Sequence, residues 1–437
     1  MDYEWYVSLS VFFGLFMLAL ASGMPVAFSF LTLNIIGLYL FVGGEPALSL
    51  MATSAFSSVG QFALIPIPLF ILMGELLMRT GLAAMTVDAA DHWIGRLPGR
   101  LSLSAVGGGT LFGALSGASM ASVAMLGSTL VPEMSKRNYK PELSVGSILA
   151  GGGLAVLIPP SALGVLLGAL AKLSIAKILI AGLLPGLVLA LLYFIYFVVR
   201  AKLQPELAPP YDAPPLPLSE KLKSLAKITP LLSLILVVTG FIFLGIATPS
   251  ESAAMGAFAT LLLAAAYRCL TWEAIKESLI STMSTTAMIL LIIVGSSAFS
   301  QILAATGSTS ALVDFVAELD LPQLAMVVIM QALVFFLGCF IDTISIMMVT
   351  VPVFMPVVQA LGLDPIWFAI LLLVQLELAG ITPPFGVLLF VMKGVQQHLT
   401  IAKIYAAAIP IVLIQLLLIA ILMAFPQIVS ILPEIMG

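Results

Sequence analysis

The chain has 437 residues, 61% of them hydrophobic and only 9% charged, whereas a soluble protein carries about 25% charged residues. This excludes a water-exposed globular fold, and a formal net charge of −4 with no basic block offers nothing to nucleic acid. Long continuous apolar runs, rather than short alternating segments, exclude a β-barrel and define an all-α polytopic membrane protein.

The start, M-D-Y-E-W, places the acids Asp2 and Glu4 where a signal peptide would have a basic region, so Trp5 to Ala21 reads as a retained membrane helix. Crossings are predicted at about 5–22, 26–43, 61–78, 143–170 and 178–199, with the run 101–131 entering and leaving on one side. Residues 200–227 combine prolines with charges. They cannot span a membrane and read as an extended cytoplasmic linker between a first half, 1–199, and a second half, 228–437. Beyond the linker, crossings are predicted at about 228–246, 250–268, 284–304, 366–392 and 404–425, with 322–357 re-entrant.

The two halves carry the same landmarks. A shift of 224 residues lays Pro25 on Pro249, Pro132 on Pro356, Pro141 on Pro365, and the pair Pro159-Pro160 on Pro383-Pro384. With a two-residue slip, S-I-A-K-I at 174–178 matches T-I-A-K-I at 400–404. Four proline landmarks at one offset make an internal repeat a better reading than coincidence.

Placing the N-terminus outside puts Arg79, Arg96, Arg100, Lys136, Arg137, Lys140, Arg200, Lys202, Lys221, Lys223, Lys227, Arg268, Lys276, Lys393 and Lys403 in the cytoplasm. Only Lys172 and Lys177 are left outside. Each half then has an odd number of crossings, so the second inserts upside down relative to the first. Such an inverted-topology repeat with paired interrupted segments is a secondary-transporter pattern.

Proline removes a backbone donor and clashes with the preceding helical turn, so each proline pair breaks a helix inside an apolar run. Broken helices survive at membrane depth only within protein or beside a polar cavity. Their free carbonyls and nearby hydroxyls are hard oxygen ligands suited to Na⁺, and their half-helix N-termini favour anions. The first re-entrant run holds L-F-G-A-L-S-G-A-S-M-A-S at 111–122, where Gly117 permits a tight turn and Ser116 and Ser119 supply hydroxyls. Helix packing through small residues is the competing reading for the stretch, and the better one for Ser122. The same shift lays Ser119 on Thr343 in G-C-F-I-D-T-I-S. There Asp342 is a candidate ion ligand and, compatibly, a helix cap.

Glu75 stands one turn before Arg79 and reads as its ion-pair partner. Glu377 either faces a cavity or pairs with another buried polar group, and the sequence leaves both open. Gln301 and Gln331 read as structural. With His92 and His398 the only histidines and Cys269 and Cys339 the only cysteines, no CxxC exists and no transition-metal cluster can be assembled.

Together, L-F-G-A-L-S-G-A-S-M-A-S, L-V-P-E-M-S-K-R, L-I-P-P-S, I-A-G-L-L-P-G, A-T-P-S-E-S-A-A-M-G and G-I-T-P-P-F-G resemble the large membrane subunit of tripartite ATP-independent periplasmic (TRAP) transporters, over essentially the whole chain. The resemblance implies a Na⁺-coupled importer of small organic anions in the bacterial inner membrane, working by an elevator motion and needing no cofactor besides the coupling ion. It also implies two partners, a small four-helix membrane subunit and a periplasmic substrate-binding protein. A first sodium site is implied at Ser116, Gly117, Ser119, Gly153, Pro159 and Ser161, and a second at Asp342, Thr343, Gly380, Thr382 and Pro383. Substrate would bind at Ser116, Ser161, Thr343, Glu377, Pro160 and Pro384.

Two departures lie beside the proline pairs. Many family members have an Asn shortly before the second pair, where this chain reads L-E-L-A-G-I-T-P-P, and the run A-G-G-G-L-A-V-L precedes the first. They point to a less charged or more apolar carboxylate than the C4-dicarboxylates or sialic acid common in the family. A single-component Na⁺/carboxylate symporter or ion antiporter of related architecture is the alternative. An intramembrane enzyme is disfavoured because HExxH, GxSxG and GxGD are all missing.

Overall fold

The computed structural model describes residues 5–82, 84–95, 97–209 and 217–436. Asp2, Glu4, Arg96 and linker residues 210–216 lie outside the described residues. Among the described residues every regular element is helical.

The first half comprises α1 (Trp5–Ala21), α2 (Val26–Gly37, prolonged by a π-helical turn, Leu38–Gly43), α3 (Glu45–Val59), α4 (Pro66–Arg79), α5 (Ala84–Ile94), α6 (Arg100–Ser116), α7 (Ser119–Lys136), α8 (Pro141–Gly153), α9 (Ala162–Ala171) and α10 (Ile175–Leu203). The second comprises α11 (Leu218–Phe243), α12 (Pro249–Ala266), α13 (Trp272–Ala305), α14 (Ser308–Glu318), α15 (Gln323–Gly338), α16 (Thr343–Ala360), α17 (Pro365–Ile381), α18 (Val387–Val395), α19 (Ile401–Ala424) and α20 (Gln427–Met436). Six helical segments among the described residues are long and apolar enough to cross a membrane.

The repeated prolines occupy matching places. Pro141 opens α8 and Pro365 opens α17, at the first helical position where the missing N–H costs nothing. Pro132 and Pro356 lie inside α7 and α16, and the 224-residue shift lays those two helices on each other end to end. It does the same for α5 and α14. The halves diverge at α13, a 34-residue helix whose counterpart is split into α3 and α4. Gly60, Pro66 and Pro68 fall at that split, whereas residues 284–292 contain neither Gly nor Pro.

Two features depart from the hydropathy reading. Helices α3, α5, α14 and α20 occupy segments it left unassigned, because 10- to 15-residue helices are shorter than a membrane span. The linker is also shorter than 200–227, since α10 runs to Leu203 and α11 begins at Leu218 behind Pro217. Charged residues such as Arg200, Lys202, Lys221 and Lys223 are good helix formers once outside the bilayer.

The broken helices form the centre of the molecule. In α8 every residue from Leu143 to Gly153 is buried, and in α17 every residue from Trp367 to Ile381. The glycine run explains how three neighbours crowd onto α8. A Cβ at Gly151 would lie 2.3 Å from the Ala105 carbonyl oxygen of α6. One at Gly152 would lie 2.5 Å from Val123 Cγ2 of α7, and one at Gly153 2.7 Å from Glu377 Oε1 of α17. Each glycine faces a different partner, and none leaves room for a methyl group.

Gly151→Ala is therefore expected to destabilise the protein by about 2 kcal/mol through overpacking. Gly107→Ala, whose Cβ would make only ordinary contact with Ala90 at 3.6 Å, should be neutral or stabilise by up to about 1 kcal/mol. Thermal unfolding of the detergent-purified variants checks the contrast.

Candidate functional site

Four interruptions converge in the middle of the fold. The α6–α7 hairpin turns through Gly117, which takes a left-handed conformation (φ 60°) that a side chain would strain. Its tip sits on the first proline pair, where a Cβ at Gly117 would lie 2.7 Å from the Pro160 carbonyl oxygen. The α15–α16 hairpin turns at residues 339–342 and ends on Asp342, whose carboxylate accepts hydrogen bonds from the backbone N–H groups of Ile344 (3.1 Å) and Ser345 (3.2 Å) and from the Ser345 hydroxyl. Asp342 is thus the N-cap of α16. Helices α8 and α17 are interrupted at Pro159-Pro160 and Pro383-Pro384, and both peptide bonds are cis.

A cavity of about 480 Å³ opens between these elements. Ser116, Gly117 and Ser119 of the first hairpin line it, with Asp342 and Thr343 of the second, and Glu377 and Gly380 of α17. The first residues of four helices point their N-terminal ends into the same space: Ser119 and Met120 of α7, Ala162 and Leu163 of α9, Thr343 and Ile344 of α16, and Val387 and Leu388 of α18. The opposite wall is built by Ile71, Gly74, Glu75 and Met78 of α4 with Thr285, Met288 and Ile289 of α13. No lysine, arginine or histidine is among the lining residues.

Two charge patterns thus share one space. Four helix N-termini turn the positive ends of their dipoles to the cavity, which favour an anion, and those of α9 and α16 are capped by Ser161 and Asp342. Three carboxylates, Glu75, Asp342 and Glu377, favour a cation. Glu75 is already engaged. Its Oε2 accepts from Arg79 Nε at 3.0 Å and its Oε1 from the Ser281 hydroxyl at 2.7 Å, while Arg79 also pairs with Glu277 of α13. Glu377 accepts a 2.9 Å hydrogen bond from the Ser119 hydroxyl on Oε2. Both alternatives left open for it are realised, since it faces the cavity and also pairs with a buried polar group.

Other residues singled out in the sequence stand behind the cavity rather than on it. Ser161 is buried and caps α9, its hydroxyl accepting from the Gly164 N–H at 3.0 Å. Pro159 and Pro160 are buried beneath the first tip. Thr382 donates to the Leu378 carbonyl at 2.6 Å, and Tyr405 donates to the Pro384 carbonyl, also at 2.6 Å, on the exposed side of the second pair. Gly153 lies against Glu377 without lining the cavity. Thr343, by contrast, lines the cavity and also donates to the Leu376 carbonyl at 3.3 Å, which ties the second tip to α17. Ser122 donates to the Ala118 carbonyl at 3.0 Å, within its own helix.

Sequence reasoning missed the wall formed by α4 and α13. Glu75 signalled only a pairing with Arg79, and nothing in the sequence set Gly74 apart. A Cβ at Gly74 would lie 2.4 Å from the Ser116 carbonyl oxygen, so this glycine is where the wall receives the first hairpin tip.

A helical membrane protein whose interrupted helices surround one internal cavity has the architecture of a secondary-transporter permease. The chain belongs to the DctM component family of tripartite ATP-independent periplasmic transporters, whose family model it matches over residues 13–428. It is 31% identical to the C4-dicarboxylate TRAP transporter large permease protein DctM of Pseudomonas aeruginosa, over 89% of this chain and 90% of that one. It is 30% identical to the ectoine TRAP transporter large permease protein TeaC of Halomonas elongata, over 93% and 94%. Among solved structures, the YdaH transporter of Alcanivorax borkumensis superposes with a TM-score of 0.61 at 16% identity, covering 88% of this chain and 90% of that one. The protein is therefore an integral membrane permease subunit and not an enzyme.

Gly74→Val is expected to lower the initial rate of uptake at least about tenfold while the protein still purifies intact, because the added side chain occupies the seat of the Ser116 carbonyl. Initial rates in proteoliposomes check it.

Proposed function

We propose that the protein is the large subunit of a Na⁺-coupled importer of a small carboxylate. The reading rests on one observation above others: four helix N-termini and the carboxylates of Asp342 and Glu377 line one cavity. The N-termini suit the carboxylate of the substrate. The acidic side chains and interrupted backbones suit sodium ions, one where the first hairpin meets α8 and one where the second meets α17. Thr343 and Gly380 support the second placement, since a Cβ at Gly380 would lie 3.9 Å from Thr343 Oγ1.

The substrate is a small, weakly charged carboxylate. A multiply charged anion would want a guanidinium or ammonium partner, and the cavity lining contains neither. Relatives named for C4-dicarboxylate, sialic acid and ectoine support a family in which the scaffold stays constant and the cargo changes.

Residues 1–199 and 228–437 act as inverted repeats on either side of the cytoplasmic linker. The two hairpins with α8–α9 and α17–α18 move as a unit, elevator-fashion, past the wall of α4 and α13. A periplasmic binding protein delivers the substrate, and a small four-helix membrane subunit braces the scaffold. The chain lies in the bacterial inner membrane with its N-terminus in the periplasm.

Asp342→Ala is expected to abolish Na⁺-dependent uptake in proteoliposomes while leaving assembly with the small subunit intact, and unchanged uptake would refute the role of Asp342. Single cysteines at positions 100 and 136 should react with a membrane-impermeant reagent from the same face; labelling from opposite faces would rule out a re-entrant first hairpin.

A further inference from the structure

The carboxylate of Glu377 is the one acidic group of the cavity whose charge is left uncompensated. Its side chain is 4% exposed. Oε2 takes the Ser119 hydrogen bond, and Oε1 has no hydrogen-bond partner. Asp342 is answered by two backbone N–H groups and a hydroxyl, and Glu75 by Arg79 and Ser281. An ionised carboxylate at membrane depth is strongly unfavourable unless a positive charge faces it, and no basic side chain lines the cavity.

The neighbours of Glu377 identify that positive charge. Ser119 belongs to the first hairpin, and its hydroxyl, donating a hydrogen bond to Glu377, keeps lone pairs to offer a cation. Gly153 belongs to the first broken helix, and a Cβ there would lie 2.7 Å from Oε1, so only glycine lets the carboxylate approach the α8 backbone this closely. Glu377 itself belongs to the second half. It reaches across the repeat and places its unpaired oxygen against the residues assigned to the ion site of the first half.

We propose that Glu377 supplies a carboxylate ligand to the sodium ion held by the first hairpin and first broken helix, so that this ion is ligated across both halves of the repeat. The inference rests on the sodium-coupled reading above and deepens it. The two ion sites are then unequal. The first has a full carboxylate from the opposite half, and filling it clamps α7, α8 and α17 together. The second lies within its own half, where Asp342 spends its charge largely on capping α16.

The test is Na⁺-dependent thermal stabilisation of the purified complex of this chain with its small membrane subunit, without substrate, with K⁺ replacing Na⁺ at constant ionic strength. Wild type is expected to gain stability with Na⁺, and E377Q to need at least about tenfold more Na⁺ for half the effect. E377D, which keeps the charge one methylene short, should move the same midpoint in the same direction by a smaller factor, and it reads the proposal if E377Q does not assemble. E133Q, which removes a carboxylate that lies outside the cavity and pairs with Arg137, should leave the midpoint unchanged. A wild-type response that E377Q and E377D leave unmoved would overturn the inference alone. So would an equal shift in E133Q, which would reduce the effect to the overall charge of the protein. A wild type indifferent to Na⁺ would overturn both the inference and the sodium reading.

Discussion

A hydrocarbon environment offers no hydrogen bonds, so every backbone group released by a helix break must find its partner in the protein. The rest of the architecture follows from that constraint. Each interruption is roofed by another part of the chain: the Pro160 carbonyl by the glycine at the first hairpin tip, the Leu157 carbonyl by Gly182 of α10, and the Gly380 carbonyl by Gly386. The first break is buried, the second opens to the surface at Pro384 and Phe385, and the elements around both carry glycine where they approach.

That arrangement also explains the charge pattern. Helices that stop in mid-membrane present N-termini, and two hairpins and two broken helices supply four of them to one space. In the proposed function, acidic residues at the same place, Asp342 capping one N-terminus and Glu377 reaching across the repeat, would bring cations to the site together with the anion. Loading of each would then depend on the other, as coupled transport requires.

Much of this was legible in the sequence because proline and glycine act locally. The two proline pairs, the prolines that open α8 and α17, and the hairpin turn at Gly117 could be placed from residue types and a single offset. The companions of Glu377 could not. Its contacts to Ser119 and Gly153 join residues more than 200 positions apart in different halves, and no periodicity within either half encodes them. The wall of α4 and α13 was equally silent. Its lining residues Ile71, Met78, Met288 and Ile289 are ordinary apolar residues of a membrane helix, and Gly74 gains its meaning only from the Ser116 carbonyl packed against it. The glycine run at 151–153 could be noticed but not interpreted until three separate neighbours were seen to crowd the same helix.

The central claim is that both hairpin tips and both broken helices serve one shared site for substrate and ions. An electron cryo-microscopy map of the complete permease complex in Na⁺ with its cognate substrate, at a resolution that shows bound ions, tests it most directly. The account predicts substrate density between residues 116–119 and 342–344, with ion density beside Ser119 and beside Thr343. Substrate density elsewhere, such as the groove between α11 and α12 lined by Leu234, Val238 and Met255, would contradict it.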